Sequence, residues 1–135
     1  MIIGKKRQRD VFIILGFICL YIFAYINLHT ENKRILNNLV VCNATVTKVA
    51  TFDKYAHFRV DYCFNANDTN ICVYTFHDEI PMSILKKMVG KKLLVAYDST
   101  NPMRNQLLLT NSDYKLFNLV YPDSLLWIQK LVDPN

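Results

Sequence analysis

From Val11 to Leu28 the chain runs eighteen residues without a charge (VFIILGFICLYIFAYINL), and only Asn27 in that run is strongly polar. At 1.5 Å per residue this makes a helix of roughly 27 Å, close to the hydrocarbon thickness of a bilayer. The pattern predicts one transmembrane helix over 11–28, a tail over 1–10 before it, and a polar stalk over 29–38 that continues the helix. Beyond it the period changes. Val40, Cys42, Ala44 and Val46 alternate with Asn43, Thr45 and Thr47, the period of a half-buried strand, which predicts β-structure over about 39–50. Ala56, Phe58, Val60, Tyr62 and Phe64 then alternate with His57, Arg59, Asp61 and Cys63 in a second strand, Ala56 to Asn65, and a third follows over Ile71–Phe76.

Between these two strands lies Asn65-Ala66-Asn67-Asp68-Thr69-Asn70, whose Asn and Asp residues tolerate left-handed backbone and bond their own main chain, so a hairpin is expected. A turn centred on Asn67-Asp68 sets Phe64 opposite Ile71, Tyr62 opposite Val73 and Val60 opposite Thr75. This register puts the apolar side chains of both strands on one side of the sheet.

Pro81 and Gly90 bracket a short helix over Met82–Val89. A fourth strand is predicted over Lys91–Tyr97, a loop over Asp98–Pro102, a fifth strand over Leu107–Thr110, and a helical piece over about 112–118. A last helix, about 123–132, is expected to be capped by Asp123 or Ser124. On it Leu125, Trp127, Ile128, Leu131 and Val132 fall within an arc of roughly 160°, opposite Gln129 and Lys130. That face is the candidate interaction surface, either packing on the β-domain or meeting a partner or the membrane. The chain is therefore mainly β beyond its first helix, and residues 39–135 form one small domain.

Charge changes the picture in one place. Of the net +5, Lys5, Lys6, Arg7 and Arg9 against Asp10 account for +3. Four basic residues before the apolar run outweigh Lys33 and Arg34 after it, which predicts a cytoplasmic N-terminus and a domain on the far side of the membrane. Bulky residues around Ala24-Tyr25-Ile26-Asn27 leave no small-x-small cleavage site, so the helix reads as an uncleaved anchor rather than a signal peptide. What basic charge remains is dense only at Lys86, Lys87, Lys91 and Lys92, and nucleic-acid binding is not expected.

A domain outside the cytoplasm stands in an oxidising compartment. In the hairpin register Cys63 and Cys72 are directly opposite, on the face away from the core, and a cross-strand disulfide is expected. Two free thiols or a redox pair are the alternatives. Cys42, on the apolar face of the first strand, is expected to be a buried thiol.

The order of anchor helix, Ala44-Thr45-Val46-Thr47-Lys48-Val49, the Val60-x-Tyr62 hairpin, Gly90-Lys91-Lys92 and Val95-Ala96-Tyr97-Asp98-x-x-Asn101-Pro102 resembles an uncharacterised family of small bacterial membrane-anchored β-domain proteins. The family's most recognisable feature is a Tyr-Asp-Pro-x-x-Pro turn, in which Ser99 stands here for the first proline. The resemblance covers roughly residues 39–110. It implies a small OB-like or SH3-like barrel, here of the five strands read above, in a bacterium, and it implies no reaction; with the charge-derived topology the expected location is the inner membrane, with the domain periplasmic or extracellular. In physical terms Asp98, Asn101 and Pro102 form a structural turn: Asp98 holds backbone amides, Arg104 pairs with it, and Pro102 fixes the exit.

Candidate chemistry is thin. His57, His77, Cys63 and Cys72 lack compact zinc-ligand spacing, and His77-Asp78-Glu79 reads as a solvated turn. With glycine only at Gly4, Gly16 and Gly90, there is no phosphate-cradling loop. No catalytic residue, cofactor, metal or small-molecule ligand is inferred. The expected function is a non-enzymatic, membrane-tethered binding or accessory module for an envelope protein. A structural or stress-related envelope protein is the alternative, and a thiol-redox or other envelope enzyme the more remote one.

Overall fold

The computed structural model describes residues 3–52 and 57–132, with side chains from Asp10 onward except Leu28's. The chain divides into two compact units, Met1–Arg34 and Ile35–Asn135. The first is helix α1 (Ile3–Asn37), whose last turn belongs to the second unit. Its stretch Asp10–Asn37 is long and apolar enough to cross a membrane, and its most apolar window is uncovered by the rest of the chain. The expected stalk is helical through Asn37. There Thr30 Oγ1 donates to the Ile26 carbonyl at 2.6 Å and Arg34 pairs with Glu31 at 2.9 Å.

The second unit is a five-stranded antiparallel sheet, curled into a half-barrel, with short helices between and after its strands. Its strands are β1 (Leu39–Thr51), β2 (Phe58–Ala66), β3 (Thr69–Phe76), β4 (Lys92–Asp98) and β5 (Asn101–Leu108), in the spatial order β3-β2-β1-β4-β5. The concave face holds Ala44, Val46, Val60, Tyr62, Phe64, Val95 and Leu107, all buried, and Ile35 joins the same core. The predicted hairpin register holds residue for residue, with Val60 opposite Thr75, Tyr62 opposite Val73 and Phe64 opposite Ile71. Asn67 and Asp68 both take positive φ, 50° and 61°, the two-residue turn whose twist matches the flanking strands. Pairing therefore continues to Ala66 and Thr69, beyond the expected strand ends. The expected start of the second strand at Ala56 lies outside the described residues.

Three elements differ from expectation. The helix predicted over Met82–Val89 closes at Lys86 as α2 (Met82–Lys86), with Pro81 at its N-cap. The amides of Lys87, Met88 and Val89 turn back to carbonyls three residues earlier, and Gly90, at φ 80°, sends its N–H to the Val46 carbonyl at 2.8 Å. That bond, with Val46 N–H donating to Lys91 O at 3.2 Å, sits where β1 bulges between Val46 and Lys48.

The loop expected over Asp98–Pro102 is instead a two-residue connection, Ser99-Thr100, and the fifth strand begins at Asn101 rather than Leu107. Proline is compatible with this strand because β5 lies at the sheet edge, and Pro102, Met103 and Arg104 form a bulge with no partner on β4, between the pairs Asp98–Asn101 and Tyr97–Asn105. Finally, the C-terminal helix comes in two pieces. A 3-10 turn over Asp123–Leu125 leads into α4 (Leu126–Val132), and Pro122 occupies the N-cap position with no side-chain cap, so neither Asp123 nor Ser124 caps it. Helix α3 (Asn111–Leu116) lies close to its predicted place.

Candidate functional site

Cys63 and Cys72 are bonded, with Cα atoms 4.1 Å apart. Counting outward from the tight turn, this is a non-hydrogen-bonded pair, where opposite side chains come closest. The bridge lies on the convex face of the sheet, with Cys72 exposed and Cys63 half-buried. Cys42 is half-buried rather than buried. Its Sγ lies 3.7 Å from the Asn65 carbonyl, and burial raises its pKa.

The Asp98 turn is built as a closed polar knot. The Asp98 carboxylate is buried and accepts from the Thr100 hydroxyl at 2.6 Å and the Thr100 amide at 2.8 Å, with Arg104 Nη1 at 3.5 Å. The Thr100 hydroxyl bond is the main cause of a lowered carboxyl pKa; burial opposes it, while the Thr100 amide and Arg104 reinforce it. Asn101 Oδ1 accepts from the Met103 amide at 3.2 Å. Both carboxylate oxygens of Asp98 thus have a partner close in sequence, Oδ1 at Thr100 and Oδ2 at Arg104.

The C-terminal candidate face is divided. Leu125 and Ile128 are buried in the domain core, Trp127 and Val132 are partly buried against it, and Leu131 stands 56 % exposed. Leu125, Ile128 and Val132 form the centre of the apolar stripe and face the domain, while Leu131 at its edge stays open to solvent. Lys91 Nζ lies 5.7 Å from the Trp127 ring centroid and covers part of that side chain.

Two arrangements went unread in the sequence. Asp113, one turn into α3, closes a capping box with Thr110. Its carboxylate accepts from the amides of Leu109 (3.0 Å) and Thr110 (2.8 Å) and from Gln106 Nε2 (3.0 Å). The Thr-x-x-Asp spacing was the available signal. Beside α3 and α4 is a cleft of about 260 Å³ lined by Glu79, Asn111, Lys115, Tyr121 and Gln129 among others. His77 is pushed down in pKa by burial, against the opposing fields of Asp113, Glu79 and Asp78. Asp78 Oδ2 also meets His57 Nδ1 at 2.9 Å. Among the described residues, no group of three or more His, Cys, Asp or Glu side chains is placed to hold a metal ion.

The second unread arrangement is an aromatic patch on the convex face beyond the disulfide. Phe52 (63 % exposed), Tyr74 (54 %) and Phe76 (44 %) make edge-to-face contacts, Phe52–Phe76 at 5.1 Å and Tyr74–Phe76 at 5.6 Å. The Arg59 guanidinium sits 4.2 Å above Tyr74 while Arg59 Nε donates to Asp61 at 2.6 Å. Three large rings are thus left exposed side by side on one small domain. Alternation along β3 was legible, but that its outward side carries rings adjoining Phe52 depends on the strand pairing.

No family model, no curated protein and no solved structure matches this chain. The functional reading therefore rests on the residues themselves.

Proposed function

We propose that this chain is a single-pass, membrane-anchored accessory module whose domain acts outside the cytoplasm by binding another protein rather than by catalysis. The observation that carries the reading is the uncovered apolar helix, whose large apolar side chains from Val11 to Ile26 are 49 to 74 % exposed. Such a surface is stable in lipid and a liability in water. The disulfide supports a compartment that keeps cysteines oxidised. The basic residues ahead of the helix support an N-terminus on the cytoplasmic side, with an uncleaved anchor. The likeness of the Tyr97-Asp98-x-x-Asn101-Pro102 turn to a bacterial envelope family supports the inner membrane as the location.

The domain's buried polar groups are tied up in its architecture, in the Asp98 turn and the Asp113 cap, while its exposed rings face solvent. That distribution favours recognition over reaction. Cross-linking in native membranes at endogenous levels, followed by mass spectrometry, tests the reading. Recovery of a distinct envelope protein with this chain is expected, and recovery of the chain with no associated protein of any kind contradicts it.

A further inference from the structure

The two edges of the sheet are unlike. β5 carries Pro102, Arg104 and a bulge, the devices that stop a strand from pairing further. β3 carries none of them: its eight residues, Thr-Asn-Ile-Cys-Val-Tyr-Thr-Phe, hold no charge and no proline, and its ladder with β2 runs from Ala66–Thr69 to Arg59–Phe76 without a shift. The curl of the half-barrel brings β5 close to β3, but among the described residues no backbone hydrogen bond engages the outer side of β3. Because Thr69, Ile71, Val73 and Thr75 alternate toward β2, the free N–H and C=O groups belong to Asn70, Cys72, Tyr74 and Phe76. Tyr74 and Phe76 are also the exposed rings of the convex patch.

We infer that β3 pairs antiparallel with β3 of a second copy of this chain, joining two sheets into one. The inference deepens the binding-module reading and rests on it. An uncharged strand meets itself without like-charge repulsion, and the neighbouring Arg59 and Asp61 already neutralise each other. A two-fold centred on Tyr74 sets that residue opposite its own copy and Cys72 opposite Phe76, so both aromatic patches merge on one face. Since the bulge and Pro102 break the β5 edge, β3 meets β3, and the contact is isologous and closes at two copies rather than growing into a fibre. An eight-strand-residue contact is smaller than a standard interface of roughly 1,600 Å². Anchoring both copies in one membrane supplies the local concentration that compensates.

The test uses the full chain in native membrane vesicles, in a Cys19→Ser, Cys42→Ser background, with a bis-maleimide long enough to span four strand residues, roughly 14 Å, as the probe. Tyr74→Cys and Phe76→Cys are each expected to give a covalent dimer, while Met103→Cys on the β5 edge gives monomer. Adding Tyr74→Pro to the Phe76→Cys chain removes an outward N–H and spares the bonds to β2, so the dimer band disappears. Tyr74→Lys in the same chain places two cations face to face and acts in the same direction. In each variant, resistance of Cys63 and Cys72 to alkylation without reductant shows that the hairpin is formed.

Equal dimer yield from Met103→Cys, or a dimer insensitive to both Tyr74 substitutions, overturns the inference. Monomer in this test alongside a distinct protein captured from native membranes also overturns it and leaves the binding-module reading standing. Monomer with nothing captured overturns both.

Discussion

Single residues already separate two acid-sensitive groups. Burial lowers the His77 pKa in the folded chain, so the unfolded chain takes up a proton more readily. The stability His77 contributes is present above its ordinary value of about 6.5 and is lost as pH falls through the folded value. Asp98 is also lowered, chiefly by the Thr100 hydroxyl. Its contribution is present above about 3.9 and is lost only below that. Thermal midpoints of the detergent-solubilised chain between pH 7.5 and 3 should therefore fall in two steps. His77→Gln should flatten the step below pH 6.5, and Asp98→Asn the step below pH 4; one step shared by both variants would contradict this assignment. The Cys63–Cys72 bridge closes a short loop, so Cys63→Ala should cost about 2 to 3 kcal/mol. Compared under non-reducing conditions, the variant should melt at least roughly 8 °C below the parent.

At the scale of elements, α3 depends on its cap. Thr110→Ala removes one acceptor and should cost about 1 kcal/mol. Asp113→Ala strips three donors of their acceptor, one of them the buried Leu109 amide, and should cost more, about 2 to 3 kcal/mol. Denaturant midpoints of the two variants give that order, and equal costs would mean the carboxylate contributes only its helix cap. Gly90→Ala meets no atom within 4 Å, so its expected loss of about 1 to 2 kcal/mol comes from the positive φ alone.

These elements were unequally legible. The β2–β3 register could be read to the residue because one apolar face and one Asn-Asp turn agree on it. β5 was misplaced because Asn101 and Pro102 carry strong turn preferences, which an edge position and a bulge override. The division of the C-terminal face was not legible because helical periodicity gives the apolar arc but not which part of it meets the domain. For the candidate surface, Tyr74 and Phe76 were in view as strand residues. Their exposure follows from their place on the convex face of the sheet, where Val73 and Thr75 of the same strand turn to the other side, a fact of the fold rather than of local sequence.

For the whole molecule, the apolar helix and the bridged hairpin are what the proposed function rests on: a helix apolar enough to span a membrane and a disulfide of the kind oxidising compartments keep. The helix was the most legible feature, since hydropathy over eighteen residues specifies it without any tertiary contact. The account's central claim is topological. A reporter enzyme that becomes active only when its disulfides form outside the cytoplasm, fused after Asn135 of the full chain, tests it most directly. Activity in carbonate-washed membranes is the result expected. An inactive fusion, paired with activity from a cytoplasm-dependent reporter at the same position, would contradict it.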